Sequence, residues 1–75
     1  MYPDDASHWI GVYTELLTFK EAMMAAAVQN MAQMSESARK EAKKTDLVIL
    51  TSERDRFRRR LQFWEARLLE LQGSH

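Results

Sequence analysis

The sequence predicts an all-α fold, a long antiparallel helical hairpin that dimerises into a four-helix bundle. Strong helix formers dominate the 75 residues, and Pro3, Gly11 and Gly73, which break helices, lie near the ends. Apolar residues recur at helical spacing in two stretches of similar length, 9–34 and 47–71. A chain this short, with no cysteine to form a disulfide, needs oligomerisation or a partner to complete its core.

Helix one is predicted over residues 5–34, and Ala38 and Ala42 would allow it to continue to residue 43. Two neighbouring rows of apolar residues follow this helix. The first row comprises Ile10, Tyr13, Leu17, Met24, Ala27, Met31 and Met34. The second row comprises Trp9, Val12, Leu16, Phe19, Met23 and Ala26. Two rows are wider than one partner helix covers, which indicates a bundle of more than two helices.

The polar segment 35–45 has no large apolar residue and is predicted to connect the two helices. A reversal near residue 40 aligns the two apolar stretches best. A sharp turn at 43–45 is the alternative, and it would leave the Trp9 end of helix one overhanging. Neither glycine nor proline marks the turn.

Helix two is predicted over residues 46–72, because Gly73 is a typical helix stop. Its inward residues alternate at steps of three and four, the a/d pattern of a coiled coil. They are Leu47, Leu50, Arg54, Phe57, Leu61, Trp64, Leu68 and Leu71. The whole chain, 1–75, is predicted to be a single domain, and 73–75 has the composition of a tag remnant.

Apolar side chains also lie off this row, among them Val48, Ile49, Phe63 and Leu69. A lone hairpin would expose them, whereas a dimer of hairpins would bury them. The residues expected to form the core and the interface are Trp9, Tyr13, Leu17, Met24, Met31, Leu47, Leu50, Phe57, Leu61, Phe63, Trp64 and Leu68.

Arg54 places a charge on the apolar row, where burial is costly unless the charge is paired. Glu15, Glu21 or Glu36, from either subunit, is a candidate partner, and such a pair would fix helix register or oligomeric state. The favoured interpretation is that the Arg54 stem packs and its guanidinium reaches water.

Charge is unevenly distributed along this neutral chain. Residues 1–37 hold five acids and one lysine, whereas residues 38–75 hold ten Lys or Arg and six acids. The two halves complement each other, or the basic half faces an external anion. The candidate anion-binding residues are Lys43, Lys44, Arg56, Arg58, Arg59 and Arg60. Asp55 is spaced to pair with Arg58 or Arg59, which favours a solvated face over a dedicated polyanion site.

No catalytic, metal or cofactor site is expected. His8 is the only histidine besides His75, cysteine is absent, and no Gly-rich phosphate loop or nucleophile elbow occurs. No membrane insertion, small-molecule ligand or signal peptide is expected, so the cytoplasm is the predicted location. The sequence favours a protein–protein interaction or oligomerisation module, or an adaptor. The expected occupant of its interface is a second copy, with higher oligomers or another protein as alternatives. A dimeric nucleic-acid-binding regulator is the alternative function.

Overall fold

The computed structural model describes residues 3–73, with side chains from Asp5 onward. The helices are α1 (Pro3–Ala32), α2 (Glu36–Lys44) and α3 (Asp46–Gly73). Helices α1 and α3 pack antiparallel, because Trp9 contacts Trp64 while Lys20, further along α1, contacts Glu53. The predicted all-α antiparallel hairpin is therefore confirmed. Ser74 and His75, which belong to the predicted tag remnant, lie outside the described residues.

The chain reverses at residues 33–35, earlier than either predicted position. Ser35 caps α2, since its hydroxyl oxygen accepts a hydrogen bond from the backbone N–H of Ala38 at 3.3 Å. The Arg39 side chain donates to the carbonyl oxygens of Met31 and Met34, both at 3.1 Å. The Met31 carbonyl also accepts from the backbone N–H of Met34 at 3.1 Å, so Arg39 adds a second hydrogen bond there and ties the turn to the negative end of the α1 dipole.

Most of the predicted connecting segment is helical, but it forms α2, after the reversal. The predicted extension of helix one to residue 43 was therefore wrong. The Lys, Arg, Glu and Ala residues of this segment are strong helix formers, and they build α2. Helices α2 and α3 form one long helix that bends at Thr45, whose φ and ψ are −111° and −81°. The Thr45 hydroxyl donates to the Glu41 carbonyl at 2.8 Å, a competing hydrogen bond that commonly bends helices.

The early reversal sets the register between α1 and α3. Trp9 lies level with Trp64 and Lys20 with Glu53, so the midpoint of the pairing falls near residue 36. Apolar residues at the end of α1 therefore extend past the apolar part of α3 and lie beside α2. A pocket of about 330 Å³ lies there, lined by Val28, Met31, Ala32, Arg39, Lys43 and Leu47.

The first apolar row of α1 and the a/d row of α3 face each other across the hairpin. All eight a/d residues of α3, including Arg54, are half-buried or buried. Among the described side chains, the buried apolar ones are Ala6, Met31 and Trp64. The hairpin measures 59 × 16 × 13 Å, so it is one helix thick. The second row of α1 is only partly covered, since Val12 and Leu16 are half-buried whereas Trp9, Phe19, Met23 and Ala26 are exposed.

Candidate functional site

One broad side of the hairpin carries the second apolar row of α1 together with two apolar residues of α3. We call this surface the apolar face, and its members are Trp9, Val12, Leu16, Phe19, Met23, Ile49 and Phe63. At 3.6 residues per turn, the five α1 members share one side of their helix. The Lys20–Glu53 ion pair and the packing of Arg60 over the Tyr13 ring fix which side of α3 lies beside that row.

Large apolar side chains are well exposed on the apolar face. Phe19 is 60% exposed, Ile49 58% and Phe63 50%, and Trp9 and Met23 are also exposed. The opposite side carries mainly polar residues, namely Thr14, Thr18, Glu21, Thr51, Asp55, Arg58, Gln62 and Glu65. The exposed Val28, Val48 and Leu69 lie toward the ends of that opposite side. Several exposed apolar side chains on one side of a hairpin mark an interaction surface, whereas single exposed apolar residues are ordinary.

An aromatic cluster anchors one end of the apolar face. The Trp9 ring stacks on the Trp64 ring with centroids 6.1 Å apart, and the Phe63 ring meets Trp64 edge-on at 5.1 Å. The rings of Tyr13 and Phe57 extend the cluster inward, 6.1 Å apart. Phe63 therefore contacts the core through Trp64, while half of its surface faces water. The Trp64 indole N–H is buried and has no acceptor among the described residues.

The predicted anion-binding residues do not converge on one surface. Helical spacing places Arg56 and Arg60 on the side of the apolar face, whereas Arg58 and Arg59 turn away from it. Lys43 and Lys44 belong to α2, roughly 20 Å along the chain axis from Arg56. Within the described part of the chain, Arg56, Arg58 and Arg59 form no ion pair. Arg60 lies over the rings of Phe63 and Tyr13, at 5.2 and 5.9 Å.

Arg54 does not pair with an acid of α1 within the hairpin, so that candidate ion pair was wrong for a single chain. Its guanidinium pairs with Asp55 of the same helix, at 3.0 and 3.1 Å, rather than with an acid of α1. Asp55 is consequently engaged by Arg54 and not by Arg58 or Arg59, its expected partners. The Arg54 side chain is 26% exposed, which fits a packed stem with a charged head that reaches water.

The ion pair that joins the two long helices is Lys20–Glu53, at 3.2 Å, which the sequence did not indicate. The Lys20 side chain is only 14% exposed, whereas Glu53 is 45% exposed. Lys20 lies one turn from Leu17 and Met24, on the inward side of α1. A pair of this kind between helices depends on their register, and no spacing within one helix reveals it.

We expect the two members of this pair to respond differently to substitution. Glu53→Ala should lower the free energy of unfolding by about 1–2 kcal/mol, because it leaves the covered Lys20 ammonium without its partner. Lys20→Met should cost less than about 0.5 kcal/mol, since Glu53 remains hydrated and the methionine fits the apolar row. Urea denaturation followed by circular dichroism measures both. Lys40→Ala, which breaks the exposed pair with Glu36, is the control, and a larger loss for Lys20→Met than for Glu53→Ala would contradict this account.

Comparison with protein-family models, with curated proteins and with solved structures gives no match. Within residues 3–73, none of the helices combines the length and apolar character needed to cross a membrane. The same residues contain no group of three or more acidic or histidine side chains placed to hold a metal ion. The exposed apolar side chains of the apolar face make it the candidate functional site.

Proposed function

We propose that this chain is a helical interaction module that self-associates through the apolar face, as a homodimeric four-helix bundle without catalytic activity. The observation that carries the proposal is the contrast between a small buried core and the exposed Phe19, Ile49 and Phe63. Chains of this length bury too little surface alone to be more than marginally stable. A second copy supplies a surface of the same chemistry and size.

Self-association offers a physical advantage over exposure of this surface to water. Transfer of a large apolar side chain from full exposure to full burial contributes about 1.5–3 kcal/mol. Phe19, Ile49 and Phe63 are about half exposed in the hairpin, so each contributes roughly half of that amount, and the two-fold symmetry of a dimer counts each residue twice. The polar opposite side then becomes the outside of the bundle. An oligomerisation module or an adaptor would present that outside to other proteins, and the cytoplasm remains the predicted location.

A second candidate function is nucleic-acid binding, and the position of Arg60 over the exposed Phe63 ring favours it. An arginine beside an exposed aromatic ring is a common platform for an unpaired base. The division of the arginines among several sides of α3 weakens this candidate, because phosphate binding needs cations along one surface.

Light scattering on the chain, alone and with labelled single-stranded DNA or RNA at two salt concentrations, tests both functions. Self-association predicts twice the chain mass of 8.8 kDa in the absence of nucleic acid. A mass of one chain at tens of micromolar would contradict the interaction module. Complexes that form at low salt and dissociate steeply as salt rises would instead support the second candidate.

A further inference from the structure

The apolar face has a symmetry of its own along the helix axis. Its α1 row, Trp9, Val12, Leu16, Phe19 and Met23, is centred on Leu16. The matching row of α3 is Ile49, Glu53, Arg56, Arg60 and Phe63, and it is centred on Arg56. The hairpin register places Leu16 level with residue 57 of α3, so the centres of the two rows coincide within one residue.

Resting on the proposed self-association, we infer that the second copy lies face to face with the first in a specific antiparallel arrangement. The two-fold axis crosses the bundle at Leu16 and Arg56, perpendicular to the helices. Helix α1 then packs on α1 of the second copy, and α3 packs on α3. The occupant of the apolar face is thus the same face of an identical chain.

The α1 row pairs well under this operation. Trp9 of one copy meets Met23 of the other, Val12 meets Phe19, and Leu16 meets itself. Each large aromatic residue therefore faces an aliphatic or thioether side chain, a combination that fills space without collision. Steps of three and four residues place all five positions on the contact side of the helix.

The α3 row supplies charge complementarity. Its apolar ends meet, because Ile49 of one copy lies opposite Phe63 of the other. In the middle of the row, Glu53 of one copy comes level with Arg60 of the second copy, within about 1.5 Å along the direction of the helices. Glu53 is 45% exposed and already neutralises Lys20, and its carboxylate has further lone pairs for an arginine. The pair forms twice across the axis. The same operation brings the two Arg56 side chains opposite each other, and the Glu53 carboxylates, one turn away on either side, offset the repulsion between them.

The other face-to-face arrangement has its two-fold axis parallel to the helices, and it pairs α1 with α3 of the second copy. Residues at the same level then meet, so that Leu16 lies against Arg56 and Val12 against Arg60. These contacts cover charged groups with apolar side chains and give the arginines no carboxylate partner, which is unfavourable. The distribution of charge on α3 therefore selects the perpendicular axis.

Distances between spin labels on α1 distinguish the two arrangements. The chain has no native cysteine, so single-cysteine variants carry one label for each copy. Glu15, Ala22 and Gln29 are exposed, share the outer side of α1 and are spaced by seven residues. The variants Glu15→Cys, Ala22→Cys and Gln29→Cys are labelled and measured by double electron–electron resonance.

The perpendicular axis predicts that the separation between equivalent labels increases along the series. The axial components are about 3, 18 and 39 Å for positions 15, 22 and 29, at 1.5 Å per residue for each copy. Three equal distances would overturn the antiparallel arrangement while leaving self-association intact. Absence of any intermolecular distance, as expected if a different protein occupies the face, would overturn both proposals.

Discussion

Trp64→Ala is expected to abolish most of the folded population. Trp64 is the large buried side chain of α3, and it contacts both Trp9 and Phe63. Truncation of a buried tryptophan typically costs about 3–5 kcal/mol. A chain of this length has little stability to spare, so the loss is comparable to the whole free energy of unfolding.

Far-UV circular dichroism and urea denaturation measure this effect. Leu69→Ala is the matched control, because Leu69 lies on the same helix and is 69% exposed, so the change should stay within about 0.5 kcal/mol. Trp64→Phe separates packing from polarity: it keeps an aromatic ring and removes the indole N–H that has no acceptor among the described residues. We expect it to retain the fold. Equal urea midpoints for Trp64→Ala and Leu69→Ala would show that the aromatic cluster does not hold the hairpin together.

The second large effect is expected for Phe19→Glu, which places a charge in the middle of the apolar face. Phe19 is 60% exposed in the single hairpin, so its replacement removes little of the core of one chain. In the proposed dimer the residue is buried twice, and the substitution should raise the dissociation constant at least about a hundredfold. Thr18→Glu is the control, because the neighbouring residue is also exposed but lies on the opposite side.

The thermal midpoint of each variant, measured over a hundredfold range of concentration, detects this change. Thr18→Glu should retain the concentration dependence of the wild-type chain, and Phe19→Glu should lose it at micromolar concentrations. Loss of the dependence in Thr18→Glu with retention in Phe19→Glu would assign the interface to the opposite side of the hairpin.

The sequence predicts the long helices well because their information is local. The steps of three and four residues from Leu47 to Leu71 identify the inward row of α3, and its a/d residues are all half-buried or buried. The width of the apolar surface of α1 is likewise visible, since two rows cannot both face one helix. The second row, from Trp9 to Met23, is the one that the hairpin leaves partly exposed.

The features that the sequence did not reveal depend on contacts between distant residues. The reversal is stabilised by a hydrogen bond that Ser35 accepts and by two that Arg39 donates. Serine is a preferred N-cap residue, but in a charged, helix-favouring segment without glycine or proline it does not identify the turn by itself. Lys20 could be identified as the charged residue between helices only once the register with Glu53 was known. Arg54 occupies an a/d position, yet the neighbouring Asp55 satisfies its charge.

The central claim is that a second copy covers the apolar face. Its most direct test is the thermal midpoint of the wild-type chain, measured as a function of concentration. If folding and association are coupled, the midpoint should rise by about 5 °C for each tenfold increase in concentration, given the usual unfolding enthalpy per residue for two chains. Each tenfold increase in concentration stabilises a dimer by about 1.4 kcal/mol. A midpoint that stays constant from about one to about one hundred micromolar would therefore contradict the claim that a second copy covers the apolar face.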